Sequence, residues 1–135
     1  MDILSILLAF CLVLLNGFFV ATEFAIVKVR PSRIEELIRS NRSGAQGVRH
    51  MVTHLDAYLS ATQLGITFAS LGLGWLGEPA FARLVEWPLM MIGVEDPVWV
   101  HRIAMVFAFG TISFLHIVIG ELAPKSLALL RAESV

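Results

Sequence analysis

The sequence predicts an all-α integral membrane protein with three transmembrane helices, an amphipathic surface helix and a short interfacial or re-entrant helical segment. Hydrophobic residues make up 57% of the 135 residues, charged residues only 16%, and the mean hydropathy is +0.79. Soluble domains of this size rarely carry so much apolar surface. Three apolar runs, near residues 3–27, 58–76 and 103–122, are each long enough to cross a bilayer as a helix.

Composition also excludes several functional classes. The net charge is -1, and no basic tract is interleaved with aromatic residues, so we expect no nucleic-acid partner. Cys11 is the single cysteine, which excludes a disulfide framework within the chain and a zinc site built on several thiolates. The sequence contains neither a metalloprotease motif nor a phosphate-binding glycine loop, and no nucleophile stands beside a base. We therefore expect no enzymatic activity.

The first apolar run is unusual because its second half carries polar side chains. Asn16, Val20 and Glu23 share one face at helical spacing, and Thr22 lies at the edge of that face. Such groups in a spanning helix either form hydrogen bonds with neighbouring helices or bind an ion. The residues alone leave both interpretations open for Thr22 and Glu23.

A basic segment, residues 28–56, follows the first run. Pro31 and Ser32 open a short amphipathic stretch that predicts a helix lying on the membrane surface. His50 and His54 stand four residues apart, which is a metal-pair spacing, but no third ligand is evident and we interpret them as solvated surface residues.

The second apolar run carries a polar stripe of hydroxyl and amide side chains. These are Thr62, Gln63, Thr67 and Ser70. Gly65 and Ala69 add the small-residue spacing that lets membrane helices approach closely, so the stripe is either helix-packing surface or a source of oxygen ligands. We expect Gly77-Glu78-Pro79 to end this span, and the apolar residues 80–94, too few to cross a bilayer, to form the interfacial or re-entrant segment.

The third run closes on Gly120-Glu121-Leu122-Ala123-Pro124-Lys125. Pro124 removes a helical hydrogen bond and frees a backbone carbonyl close to Glu121. A carboxylate beside broken backbone in a membrane helix is a candidate functional site. The alternative is an interfacial glutamate that reaches water beside Lys125.

The charge distribution predicts the orientation of the chain. Of the ten Lys and Arg residues, only Arg83 and Arg102 lie outside the first loop and the C-terminal tail. The positive-inside rule then places the N-terminus outside and the C-terminus in the cytoplasm, as three spans require. We expect a multi-pass protein of the cell (inner) membrane whose immediate partner is the lipid bilayer.

In this topology all three spans bring oxygen-bearing groups to a similar depth near the cytoplasmic side. The groups are those of Thr22, Glu23, Thr62, Gln63, Gly65 and Glu121. Magnesium prefers oxygen ligands and keeps several of its waters, so one carboxylate with hydroxyls and free carbonyls suits it. Zinc or copper would prefer the histidines and thiolates that this set lacks.

Three motifs resemble the transmembrane domain of the CNNM/CorC magnesium transporter family. They are Asn16-Gly17-Phe18-Phe19-Val20-Ala21-Thr22-Glu23-Phe24-Ala25, Leu59-Ser60-Ala61-Thr62-Gln63-Leu64-Gly65 and Ile119-Gly120-Glu121-Leu122-Ala123-Pro124-Lys125. Their order and spacing match the family, and the resemblance covers nearly all of residues 1–135. It implies a dimeric transporter that exports magnesium against a sodium gradient. In the family, nucleotide-binding cytosolic CBS domains follow, so we expect this chain to be the transmembrane piece of a longer protein.

The resemblance also implies a set of magnesium ligands. Glu121 stands at the family's magnesium-binding carboxylate, and we assign Thr22, Thr62, Ser70 and Gly65 as the neutral ligands. Supporting polar positions are Asn16, Glu23, Gln63, Pro124 and Lys125. Two usual ligand positions hold Val20 and Ile66. The alternative functions are therefore a non-transporting membrane anchor or scaffold, or a transporter of a different cation.

Overall fold

The computed structural model describes residues 3–132, and all regular secondary structure in that range is helical. In chain order the elements are α1 (Ile3–Lys28), α2 (Pro31–Arg39), α3 (Ala45–Thr53), α4 (Leu55–Met91), α5 (Pro97–Leu115), a π-helical segment (His116–Leu122, the π segment) and α6 (Ala123–Leu130). The predicted all-helical class is confirmed.

Helix α4 is the central element of the packing. It lies along α1, its second half packs against α5, and the π segment and α6 return the chain to α1. One apolar cluster joins α1, α4 and α5 through Ala9, Leu73 and Ile112. A second joins α4 and α5 through buried alanines, including Ala104 and Ala108. Alanines at these contacts let the helix backbones approach closely.

Within residues 3–132, two helical stretches are long and apolar enough to cross a membrane, Ile3–Lys28 and Pro97–Leu130. The first matches the predicted first span, and the second contains the predicted third span with extensions at both ends. The predicted second span, residues 58–76, lies inside the longer and more polar α4. Large apolar side chains stay exposed on α1 and α5, among them Phe10 and Phe107, as expected of surfaces that face lipid.

The prediction of a separate interfacial or re-entrant segment at residues 80–94 is wrong. Helix α4 continues without interruption through Gly77-Glu78-Pro79 and past Pro88 to Met91. Both prolines are exposed, whereas Gly77, Ala80 and Ala82 are buried, so packing of the small residues keeps the segment helical. At about 1.5 Å per residue α4 is about 55 Å long, well beyond a hydrocarbon core of about 30 Å.

Two short helices connect α1 to α4. Helix α2 occupies the position of the predicted amphipathic helix, with Ile34 buried while Glu35 and Glu36 are exposed. Helix α3 begins after Gly44, whose φ of +86° suits a residue without a side chain. The rings of His50 and His54 lie at the end of α3 with their centroids 4.3 Å apart and their planes tilted by 35°.

Candidate functional site: a polar junction between α1, α4 and the π segment

The centre of the site is a hydrogen bond between α1 and the π segment. The side-chain amide of Asn16 donates from Nδ2 to the carbonyl oxygen of Gly120 at 2.9 Å, and Asn16 is only 2% exposed. In a regular α-helix that carbonyl would accept from the N–H of residue 124, but residue 124 is Pro124. An amide from another helix therefore satisfies a carbonyl that the proline leaves without its usual partner.

Ser70 and His116 extend this hydrogen bond into a chain. Ser70 Oγ donates to Asn16 Oδ1 at 3.4 Å, and its oxygen lies 3.4 Å from Nε2 of His116. Since the serine proton is used toward Asn16, the network assigns the proton of His116 to Nε2, which then donates to Ser70. The chain runs His116 to Ser70 to Asn16 to Gly120, and it starts and ends on the π segment.

The local geometry of the π segment follows from glycine and proline. A Cβ on Gly120 would lie 2.8 Å from Cδ2 of His116 and 3.3 Å from Nδ2 of Asn16, so a larger residue there would force the His116 ring to move. On the facing helix, a Cβ on Gly17 would lie 3.0 Å from Cγ of Pro124. The N–H of Ala123 donates to the carbonyl of Val118, five residues back, so the turn here is wider than that of an α-helix. Single π turns inside α-helices frequently occur at functional sites.

Glu121 follows Gly120 directly but lies outside the buried network. The residue is exposed, and within residues 3–132 its carboxylate makes neither a hydrogen bond nor an ion pair. Ile117 and Leu122 on the same segment are exposed as well. The π segment thus presents a carboxylate on an otherwise apolar surface. Lys125, expected near this glutamate under the interfacial interpretation, instead places its Nζ 4.7 Å from the ring centroid of Phe24.

The predicted hydroxyl ligands donate to backbone carbonyls of their own helices. Thr22 Oγ1 donates to the carbonyl of Phe18 at 2.8 Å, and the buried Thr62 donates to that of Leu59 at 2.9 Å. Each hydroxyl oxygen then keeps lone pairs that can accept a proton or coordinate a cation. Ser70 also donates its proton, to Asn16, and one lone pair of its oxygen faces Nε2 of His116.

Two further contacts bring α1 and α4 together. Glu23 Oε1 lies 3.5 Å from Nε2 of Gln63, a long hydrogen bond between two predicted supporting residues. Gly65 allows the close approach of Phe19, because a Cβ at position 65 would lie 2.6 Å from the phenylalanine ring. The Phe19 ring thus occupies the space that a side chain at position 65 would fill.

The structure joins some of the sequence-predicted site residues directly and leaves others apart. Asn16 contacts Ser70 and the backbone just before Glu121, and Glu23 contacts Gln63. The described residues contain no cluster of three or more His, Cys, Asp or Glu side chains able to hold a metal ion. A cation site here would therefore combine Glu121 with neutral oxygens.

Neither the partner of His116 nor the π turn was evident from the sequence. The signals available were the four-residue spacing of His116 and Gly120, which places both on one helix face, and the proline four residues further on. The spacing does not identify Ser70 or Asn16 as the residues opposite that face.

The fold and this junction define a helical membrane domain, and comparison with known proteins identifies its family. The chain matches the Cyclin M transmembrane N-terminal domain (CNNM) over residues 6–135. This match covers nearly the whole chain, so the protein belongs to the CNNM family, and the resemblance derived from the three motifs is confirmed.

The chain is also similar to curated bacterial proteins. It is 51% identical over 134 residues to UPF0053 protein YhdT of Bacillus subtilis. This match covers 99% of this chain and 29% of that protein. It is 47% identical over 135 residues to UPF0053 protein YhdP of the same organism (100% and 30%) and 35% identical over 133 residues to UPF0053 protein sll0260 of Synechocystis (98% and 29%). The chain thus spans less than a third of the length of these three relatives. No solved structure matches it significantly.

Proposed function

We propose that this chain is the ion-conducting domain of a magnesium transporter, in which one ion binds beside the π segment. The family is associated with magnesium transport, and CNNM domains are typically parts of transporters, not enzymes. The observation that carries the proposal is the position of Glu121, which follows the glycine whose carbonyl Asn16 holds. A carboxylate on an apolar membrane surface is costly, and a bound cation would reduce that cost.

The ligand set that we propose is Glu121 with the oxygens of Thr22, Thr62, Ser70 and Gly65. The three hydroxyls already donate their protons, so Thr22 and Thr62 present lone pairs to a cation, and Ser70 presents the one that His116 does not use. Magnesium keeps several waters, so the carboxylate and hydroxyls need not all contact the ion directly. Sodium also takes oxygen ligands, and we propose it as the coupling ion for magnesium export.

The proposed topology has three membrane spans, with the N-terminus outside and the C-terminus in the cytoplasm of the cell (inner) membrane. Lys28, the last residue of α1, and Arg30, just after it, line the same cleft as Arg131, which follows α6. Their proximity supports a common side for the first basic loop and the C-terminal end, as the positive-inside rule requires. We further propose a homodimer, because a second copy could cover the exposed apolar surface around Glu121, and cytosolic CBS domains in the full-length protein.

A second candidate function is a non-transporting membrane anchor or scaffold. Val20 is 4% exposed in α1, and Ile66 is half-buried in α4, so apolar side chains stand at two positions where the family commonly has polar ligands. In that case the junction would only hold helices together. A site of altered chemistry that transports a different cation is the remaining alternative.

Magnesium flux in proteoliposomes tests the proposal. Vesicles containing the wild-type chain and a magnesium-sensitive dye should show flux that depends on an opposed sodium gradient. Glu121→Gln should abolish this flux, whereas the control Glu35→Gln, which neutralises an exposed carboxylate on α2, should retain it. If both variants conduct like wild type, Glu121 is not the ligand. If the folded wild-type chain carries calcium or no ion at all, one of the alternatives replaces magnesium transport.

A further inference from the structure

A basic cleft lies where the C-terminal ends of α1 and α6 meet. Its volume is about 730 Å³, and three cationic residues line it together with apolar residues. The lining residues are Lys28, Val29, Arg30, Leu129, Leu130, Arg131 and Ala132. Within the described part of the chain, none of the three cations forms an ion pair or a hydrogen bond through its side chain. The cleft therefore concentrates positive charge that the described residues do not neutralise.

Two of the three cations lie at helix C-termini, which explains their positions. Lys28 lies in the last turn of α1, and Arg131 follows the last residue of α6. A cation near a helix C-terminus is favourable because the free carbonyls there carry partial negative charge. These two side chains would be expected at such positions even without a ligand.

Arg30 has the opposite relation to its helix. It is the N-cap residue of α2, where the helix end is partly positive and an anion is preferred. Its side chain makes no capping hydrogen bond, and the first turn of α2 contains no acidic residue. With respect to α2 alone, Arg30 is placed where an anion is preferred, and an anion in the cleft would interact favourably with both Arg30 and this helix end.

The apolar residues of the cleft indicate what kind of anion it would bind. Leu129 and Leu130, which both line the cleft, are 43% and 84% exposed. Exposed aliphatic side chains beside cations at the end of a membrane helix suit a ligand that has both a charged and a hydrocarbon part. Basic pockets between membrane helices on the cytoplasmic side bind the headgroups of anionic lipids in this way.

We propose that this cleft binds the headgroup phosphate of an anionic phospholipid, with Lys28, Arg30 and Arg131 around the phosphate and Leu129 and Leu130 against the acyl chains. The proposal does not depend on magnesium transport, because the cleft shares no residue with the proposed ion site. It requires only that α1 lies in the membrane, as the family implies.

Native mass spectrometry of the detergent-purified chain tests this site, with phosphatidylglycerol and phosphatidylcholine as the two probes. The first variant is Lys28→Gln/Arg30→Gln/Arg131→Gln. The matched control, Arg39→Gln/Arg42→Gln/Arg49→Gln, also removes three exposed cations without an ion pair, from the α2–α3 region. Since one cation near anionic lipid is worth about fivefold in affinity, the cleft variant should bind phosphatidylglycerol at least about fivefold less tightly than wild type. The control should bind within about twofold of wild type.

Several results would overturn the proposal. Equal losses in the two triple variants would show general charge attraction, and no loss in the cleft variant would exclude the cleft. If phosphatidylcholine bound as tightly as phosphatidylglycerol, recognition of anionic lipid would be excluded. If inorganic phosphate alone stabilised the chain against heat as much as phosphatidylglycerol does, the cleft would be a site for free phosphate. If the triple cleft variant does not fold, Arg30→Gln alone, outside the membrane helices, should still lower phosphatidylglycerol affinity, and an unchanged affinity would contradict the assignment.

Discussion

Asn16 donates a hydrogen bond of 2.9 Å to the carbonyl of Gly120, a residue 104 positions later in the chain. This bond connects the middle of α1 to the π segment, one residue before Glu121. Pro124 follows about one turn later and lies close to Gly17, so the start of α6 contacts α1 as well. The position of the proposed ligand thus depends on a contact between the first and last membrane helices.

Replacing Asn16 should destabilise the fold. Asn16→Leu removes the donor to Gly120 and the acceptor for Ser70, which leaves a buried carbonyl without its partner. Interhelical hydrogen bonds in membrane proteins contribute up to about 1.7 kcal/mol, so we expect a loss of about 1–2 kcal/mol in the free energy of unfolding. Thermal unfolding in detergent, followed by tryptophan fluorescence, measures the change.

The matched control for Asn16 is Thr67→Val. Thr67 is an exposed polar residue of a long helix whose hydroxyl donates only to its own helix, at the carbonyl of Gln63. We expect this variant to unfold within a few degrees of wild type. If Asn16→Leu were as stable as Thr67→Val, the hydrogen bond to Gly120 would not hold the π segment in place.

Gly65→Ala should disturb the contact between α1 and α4. The new Cβ would lie 2.6 Å from the ring of Phe19, and overpacking of this kind typically costs about 1–3 kcal/mol. Gly110→Ala is the matched control because nothing lies within 4 Å of its Cβ, and the gain in helix propensity should make that variant neutral or slightly more stable. Denaturant titrations of both variants give the comparison.

A second substitution tests the cause of this loss. Phe19→Leu in the Gly65→Ala background removes the ring and should recover part of the stability. If Gly65→Ala were neutral by itself, the close contact between α1 and α4 would be contradicted.

Pro79→Ala should stabilise the chain, because α4 is helical on both sides of the proline. Alanine restores an N–H for the turn before it, and proline in a helix interior is up to about 3 kcal/mol less favourable than alanine. Pro31→Ala is the control, since Pro31 lies in the first turn of α2, where no N–H is needed. A rise in the unfolding temperature for Pro79→Ala alone supports a continuous α4. A clear fall would indicate that the chain needs a break at this position.

Sequence patterns predicted the helical class, the first and third apolar stretches and a free carbonyl near Glu121. Hydropathy and the proline rule suffice for these features because they depend on neighbouring residues. The partner of Gly120 could not be predicted in the same way. Helical spacing shows which face carries Asn16, but it does not show which helix that face meets.

For α4, the local sequence predicted a helix end that the structure does not have. Gly77-Glu78-Pro79 is locally a strong signal for the end of a helix. The structure continues the helix because Gly77 and Ala80 are buried, and Pro79 stays on the exposed side. Tertiary packing of small residues outweighs the local preference, and no local pattern reports that packing.

The most direct test of the central claim is magnesium binding to the purified chain, measured by calorimetry in detergent with sodium and calcium as competitors. If the junction holds an ion through Glu121, wild type should bind magnesium saturably, and Glu121→Gln, folded to the same extent, should show no binding. Glu35→Gln should bind like wild type. Undiminished binding by Glu121→Gln, or no binding by a folded wild-type chain, would contradict the assignment of a magnesium site to the π segment.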